Sequence, residues 1–416
     1  MGVIAVAGAT AGRAATDLRP ATIRRVTVYD AVVVGAGPAG STAAYRLASA
    51  GASVLLLDRA RFPRDKPCGG GVTGRAARLL PFSIEPVVED VVSVAELRLR
   101  YGRTFERGGG EALVYMTQRR PLDHFLAAKA AEAGAELREG VKVTGIDAGE
   151  EEILVSAEGE RFRGRTVIGA DGVNGVSAKA LGLGGNRTIG VAVEGNVPYG
   201  KVDRERYRGR LVIELGVVPG GYGWVFPKGD HVNFGVGGWG GEAPNLRGEL
   251  ARLCAAHGVS PDDLEDFRGY RLPLRAPHSV LARGRTAIVG DAAGLIDPVS
   301  GDGMFEGFLS SAYAAEAVLD LLEGRAASLD PYSERLVSRL ATHLWASWGV
   351  KAALDRFPRT AFAIARTRIV WRAVEHLVQG ELEDVSKVRG LARPPLKALA
   401  FLARMAGDPG AAYRSA

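Results

Sequence analysis

Two short stretches carry the side chains best suited to chemistry. Lys66-Pro67-Cys68-Gly69-Gly70-Gly71-Val72 sets one thiol directly before three glycines. A cysteine there either donates or relays a proton, or simply packs, because glycines let a loop lie flat against a neighbour whatever residue stands beside them. Pro219-Gly220-Gly221-Tyr222-Gly223-Trp224-Val225-Phe226-Pro227 sets three aromatic residues two positions apart. Side chains alternate faces along a strand, so Tyr222, Trp224 and Phe226 form one wall while Gly221, Gly223 and Val225 face the other way. Such a wall suits a flat, elongated, apolar ligand. Aromatic faces also stabilise a developing cation, by about 0.5–2 kcal/mol each once water is excluded. Tyr222 adds a hydroxyl, a second candidate proton donor with an ordinary pKa near ~10. The same pattern serves an amphipathic core strand, so the elements around it must decide.

The first folded element is a buried strand over Val28–Val34, an apolar β-branched run. Gly35-Ala36-Gly37-Pro38-Ala39-Gly40 follows it, then a helical pattern from Ser41 to Ala50, then a second strand over Ala52–Asp58. A lone glycine triplet is weak evidence, but here strand, turn, helix, strand and terminal acid are all present. Gly35 lets the chain turn, Gly37 lets the backbone approach a pyrophosphate, and Gly40 lets helix and strand pack closely. The free N–H groups and positive end of the helix hold the phosphates. Asp58, 18 residues after Gly40, is placed to accept hydrogen bonds from a ribose.

Two later segments decide which dinucleotide. Val167-Ile168-Gly169-Ala170-Asp171-Gly172 is a strand running into an Asp-Gly turn. Ala287-Ile288-Val289-Gly290-Asp291-Ala292-Ala293-Gly294 is another, followed by Asp297-Pro298, Gly301-Asp302-Gly303 and a long helical pattern from about Met304 to Leu322. The three elements in order resemble the flavoproteins that include aromatic hydroxylases and geranylgeranyl reductases. That resemblance implies FAD. It implies that Asp291 bonds the ribityl chain and that the helix beginning at Gly303 and Met304 faces the N1/C2 edge of the flavin. It likewise implies that Ala39, Arg59, Gly69, Gly70, Val143, Asp171 and Gly290 line the cofactor, and that Arg119 stands beside its phosphates or ring, with Arg120 competing for that role. Asp171-Gly172-Val173-Asn174-Gly175 departs from the usual Asp-Gly-x-Ser spacing, which leaves the contact near Gly175 open.

The cysteine loop and the Pro-x-x-Tyr-x-Trp-x-Phe-Pro string are similar to one branch, the geranylgeranyl reductases, over about residues 29–330. The implied activity saturates isolated double bonds of a prenyl lipid or prenylquinone. An isolated trisubstituted alkene is electron-rich, so proton donation from Cys68 or Tyr222 must accompany hydride transfer from flavin N5, and the aromatic wall then faces cationic character. The alternatives are an FAD-dependent monooxygenase, hydroxylase or halogenase-like, and a non-catalytic prenyl-binding carrier. Halogenases carry a second tryptophan where Tyr222 stands. One dinucleotide fingerprint is already used by FAD, so NAD(P)H or a ferredoxin is expected only as a transient electron donor.

Composition is consistent with a folded enzyme. The 416 residues are 47% hydrophobic and 24% charged, which excludes disorder for the bulk of the chain. Cys68 and Cys254, 186 positions apart, cannot build a disulfide framework or a metal cluster by themselves, so a reducing, cytoplasmic setting is the simpler expectation. The net charge of +6 is a C-terminal property: Pro331 to Ala416 hold 14 Lys/Arg against 7 Asp/Glu. Arg356, Arg359, Arg366, Arg368 and Arg372 alternate with apolar residues, as on a solvated helical face or one drawn to the anionic inner face of the cell membrane. Nucleic acid is not expected as a partner, and no apolar run is long enough to span a bilayer.

The expected fold is α/β: a Rossmann-like FAD-binding domain with an inserted antiparallel β-sheet substrate domain and a C-terminal helical region. Residues 1–28 are an extension expected to be disordered. The FAD-binding domain takes 29–185, with 96–116 contributing to the substrate side, and 280–330. The substrate sheet takes 186–279 and the helical region 331–416.

Overall fold

The computed structural model describes residues 27–380, except 150, 186, 277 and 278. Most of the expected N-terminal extension, and residues 381–416 of the expected helical region, lie outside the described residues. The chain opens with β1 (Val28–Val34), α1 (Pro38–Ser49), β2 (Val54–Asp58), β3 (Gly71–Thr73) and α2 (Gly74–Ala77). It continues through β4 (Asp90–Val92), β5 (Val94–Leu99), β6 (Arg103–Gly108), β7 (Val114–Met116) and α3 (Arg119–Glu132). Next come β8 (Glu136–Glu139), β9 (Val143–Ala148), β10 (Ile153–Ala157), β11 (Glu160–Gly169) and α4 (Ser177–Ala180). A run of β12 (Thr188–Pro198), β13 (Arg210–Leu215), β14 (Tyr222–Pro227) and β15 (His231–Trp239) leads to α5 (Leu246–Ala256) and β16 (Glu265–Leu274). After β17 (Ala282–Arg283) and β18 (Thr286–Ile288) the chain is helical: α6 (Met304–Leu322), α7 (Asp330–Arg356), α8 (Pro358–Ala365) and α9 (Arg368–Gln379).

One eight-stranded sheet has the order β17-β18-β11-β1-β2-β8, with the β9–β10 hairpin joined to β11. β1 pairs in parallel with both β11 and β2. A strand flanked and covered on both sides must be apolar throughout, which is why Ala31, Val32 and Val33 are fully buried. Ala43, Ala44 and Leu47 of α1 and Ala314, Ala315 and Val318 of α6 pack in one core against this sheet.

The second sheet has seven strands, ordered β16-β12-β15-β14-β13-β5-β6. Its pairs are antiparallel except β13–β5. The insertion thus recruits Val94–Gly108 from within the first domain's sequence. One face is covered by α5, whose Leu246, Leu250, Leu253 and Cys254 meet Val212, Val225, Val232, Phe234 and Val236. Cys254 is a core residue there. The opposite face is turned toward the first domain. α8 and α9 cover its far end: Phe362 packs with Leu99, Phe105 and Leu215, and Trp371 with Ala95, Leu113 and Leu211. No helix among the described residues is long and apolar enough to cross a membrane.

Candidate active site

At the glycine turn, Gly35 has φ +101°, and a Cβ there would stand 2.5 Å from the Ala170 carbonyl oxygen. A Cβ at Gly40 would stand 1.8 Å from the Gly35 oxygen, so helix and strand can meet only without a side chain. Pro38 opens α1 at its first turn, where the missing N–H costs nothing. Asp58 ends β2, accepting the Ala36 N–H through Oδ2 and the Ala60 N–H through Oδ1, each at 2.8 Å. Its carboxylate is pinned to the turn.

The cavity that begins at this turn has a volume of about 1190 Å³ and runs on to the seven-stranded sheet. Of the residues singled out from sequence, Gly35, Gly37, Ala39, Asp58, Arg59, Cys68, Gly69, Gly70, Arg119, Val143, Asp171, Tyr222, Trp224, Phe226, Gly290, Asp291, Gly303 and Met304 all line it. Gly40 does not; it packs behind the turn.

Arg119 is buried and grips Asp123 through two bonds of 2.7 Å, whereas Arg120 is exposed. Asp123 also receives Arg64 Nη1 at 2.7 Å, and Arg64 reaches Asp58 at 3.5 Å. Arg64 Nη2 lies 3.6 Å from where a Cβ of Gly37 would be, so its guanidinium stands over the glycine turn. Sequence reasoning missed Arg64 because it sits in an irregular loop with no periodic pattern.

Farther along, Asp291 accepts from Lys66 Nζ at 3.1 Å. Asp171 Oδ2 takes the N–H groups of Val176 and Ser177 and the Ser177 hydroxyl, while Oδ1 is buried without a partner. The start of α6 is capped from within, since the Met304 N–H donates to Asp302 Oδ1 at 2.7 Å. A flavin edge at this helix end would share it with Asp302, whose pKa burial raises.

The aromatic wall forms as the period-two pattern requires. Trp224 lies 6.1 Å from Tyr222 and 6.3 Å from Phe226, centroid to centroid. What holds it was not legible in the motif. Trp224 pairs with Gly235 across the strands, and a Cβ at Gly235 would be 2.0 Å from the indole. The ring therefore lies on a glycine, and its Nε1–H donates to Asn233 Oδ1 at 2.8 Å. Gly237, opposite Tyr222, continues the same floor. The cysteine loop covers the other side of the wall: a Cβ at Gly69 would be 3.1 Å from the Phe226 ring, and one at Gly70 would be 2.1 Å from the Thr117 oxygen. The Tyr222 hydroxyl donates to the Ser300 carbonyl, and burial pushes its pKa up.

Three polar residues beside the loop were invisible in sequence. Lys228, buried, donates to the carbonyls of Gly69 and Thr117, and burial lowers its pKa to about 8. Glu194, also buried, accepts the Cys68 N–H through Oε1 at 2.8 Å and the Tyr270 hydroxyl through Oε2 at 3.4 Å. Burial raises its pKa to about 7. Tyr270 lines the cavity.

The donor set suits a dinucleotide with a flat ring. It combines a glycine turn that a Cβ would fill, an arginine over that turn, the orphaned Asp171 oxygen and a ring-lined slot beyond. A family of FAD-binding domains matches residues 28–208. The geranylgeranyl diphosphate reductase of Rhodobacter capsulatus is 33% identical over 320 residues, covering 72% of this chain and 78% of that protein. The chain belongs to the geranylgeranyl reductase family of FAD-dependent oxidoreductases. A second relative of this reductase, the menaquinone reductase of Mycobacterium tuberculosis, is 32% identical over 314 residues, covering 69% of this chain and 76% of that one. Among solved structures, a geranylgeranyl bacteriochlorophyll reductase-like protein of Thermoplasma acidophilum matches with TM-score 0.74 at 24% identity, over 90% of this chain and 96% of that one. A flavin-dependent brominase matches with TM-score 0.69 at 17% identity, over 91% and 100%. These structures share the fold of this reductase.

Proposed function

We propose that this reductase saturates isolated C=C bonds of an isoprenoid chain carried by a lipid or quinone. The carrying observation is the slot itself. Tyr222, Trp224 and Phe226 continue into an apolar channel with Ala95, Leu97, Leu211 and Ile213 on the sheet and Trp371, Val374 and Val378 of α9 opposite. Its apolar lining fits a chain threaded along the sheet, and burial of each CH₂ contributes about 0.8 kcal/mol.

Bound FAD would supply the hydride. The turn at Gly35, Gly37 and Ala39, with Arg64 and Arg119, would hold its phosphates, Asp58 a ribose and Asp291 the ribityl chain. Gly69 and Gly70 would let the cysteine loop lie flat against the ring, and the Cys68 thiol, which lines the same cavity, would relay a proton or gate the ring. Trp224 and its neighbours exclude water and face the cationic carbon. NAD(P)H or a ferredoxin would reload the cofactor transiently. The arginines of α7–α9 at 356, 359, 366, 368 and 372 are all exposed, which supports contact with an anionic membrane surface where such substrates reside.

The test is anaerobic. The photoreduced holoenzyme is mixed with geranylgeranyl diphosphate, a digeranylgeranyl phospholipid or menaquinone, and flavin reoxidation is followed with product mass. Reoxidation with two-dalton gains supports the reading. A reduced flavin that persists with all three overturns it.

A further inference from the structure

Glu194 and Tyr270 occupy a place in the sheet that the prenyl-reductase reading does not use. Register puts Ala192 opposite both Tyr270 and Gly237, and Gly237 opposite Tyr222. Tyr270 and Tyr222 therefore stand on one face of the sheet, on either side of Ala192 and Gly237, and both tyrosines line the cavity. Glu194, two residues along β12 from Ala192, shares that face and is buried behind it. Its carboxylate joins the backbone of Cys68 to the hydroxyl of Tyr270.

We propose that Tyr270 delivers the proton that completes alkene saturation and that Glu194 is the reservoir that resupplies it. This rests on the prenyl-reductase reading above. As the alkene takes up a hydride and its electron pair at one carbon, the other carbon forms its C–H bond with the Tyr270 hydroxyl proton. The Tyr270 hydroxyl donates to Glu194 Oε2; with the carboxyl protonated this bond reverses, and the Glu194 O–H bond breaks as the Tyr270 O–H bond re-forms, so no free tyrosinate accumulates. The charge ends on Glu194, which the Cys68 N–H and the Lys228 ammonium then stabilise. The proton returns from bulk solvent, to which the exposed Asp65–Arg268 pair beside Glu194 is open.

The neighbours of Glu194 fit this cycle. The titratable and charged groups facing it are Lys228 from the β14–β15 turn, Cys68 and Asp65 from the cysteine loop, and Tyr270 and Arg268 from β16. Burial raises the Glu194 pKa to about 7, so the carboxyl carries its proton below neutrality. Burial also raises the Tyr270 pKa well above its ordinary value, so the tyrosine gives up its proton only as Glu194 replaces it. Tyr222 donates to the Ser300 carbonyl, which has no proton to return, and Lys228 is held by Gly69 and Thr117. The Cys68 thiol, whose backbone sits at the other end of the Glu194 bridge, is the rival donor that the Cys68→Ala comparison below tests.

The test uses the FAD-loaded enzyme and whichever of the three isoprenoids wild type consumes. Tyr270→Phe and Glu194→Gln should retain flavin absorption and slow single-turnover reoxidation by roughly a hundredfold, the range of a lost general acid. In wild type the rate should fall as pH rises through about 7, where Glu194 loses its proton. Glu194→Gln should abolish that inflection and Glu194→Asp should keep it. Infrared difference spectra provide a readout independent of turnover. A carboxylic-acid C=O band should titrate near the same pH, disappear in Glu194→Gln and shift in Tyr270→Phe. Rates within about threefold of wild type, with the inflection intact, overturn the proposal. So does Cys68→Ala slowing turnover while Tyr270→Phe does not. If no isoprenoid reoxidises wild type, the function reading fails, and the infrared arm alone decides whether the Glu194–Tyr270 pair holds a proton.

Discussion

Gly235→Ala is the sharpest probe of the aromatic wall, because it adds one methyl group where no turn or positive φ is involved. The new Cβ would lie 2.0 Å from Trp224 Cζ2, 2.2 Å from Cε2 and 2.6 Å from Cη2. Ordinary carbon contacts stand at about 3.5–4.0 Å, so the ring must retreat by roughly 1.5 Å. Cε2 is bonded to Nε1, so the same motion stretches the 2.8 Å bond to Asn233 beyond hydrogen-bonding distance. Overpacking costs about 1–3 kcal/mol, and a buried donor left unpaired costs about 1–3 kcal/mol more. The two share one ring and do not simply add, so about 2–5 kcal/mol is expected. The ring can retreat only into the slot, and a misplacement of this size costs up to about a hundredfold in turnover. The glycine turn is untouched, so FAD should remain bound. Thermal unfolding, flavin absorption and isoprenoid-driven reoxidation check the three parts. Adding Trp224→Leu to Gly235→Ala should recover part of the stability by removing the clash. A Gly235→Ala variant that unfolds and turns over as wild type would show that the indole does not rest on this floor.

Cys68→Ala should leave FAD bound and slow alkene reduction about tenfold in single turnover, within the range for a group that assists proton transfer; an unchanged rate removes the thiol from the chemistry. For the membrane surface, Ile369 is 39% exposed beside Arg368 and Arg372 on α9, and exposed apolar and basic residues together favour anionic bilayers. Ile369→Asp with Arg372→Glu should therefore reduce co-sedimentation with anionic liposomes while leaving reoxidation by a soluble isoprenoid intact. Binding that ignores both the substitutions and the lipid charge counts against the surface. Removing α7–α9 altogether would be a poor test, because Tyr332 and Leu336 of α7 belong to the main core.

The sequence by itself determined what is local. The glycine turn, Asp58 and the Tyr222-Trp224-Phe226 wall each lie within one element and its flanking turn, so spacing alone fixes which backbone must bend and which side chains share a face. Tertiary structure decided everything assembled across strands. Gly235 underlies Trp224 from the next strand, Glu194 meets Cys68 from 126 residues away, and Arg64 reaches back over Gly37. Arg119 rather than Arg120 faces the cavity because Asp123, one helical turn on, draws it inward. Two strands taken from residues 94–108 complete the seven-stranded sheet, and α9 closes its far end. Cross-strand register and burial create these pairs, and neither leaves a periodic trace in the chain: a buried carboxylate reads as any other glutamate until the fold removes its water.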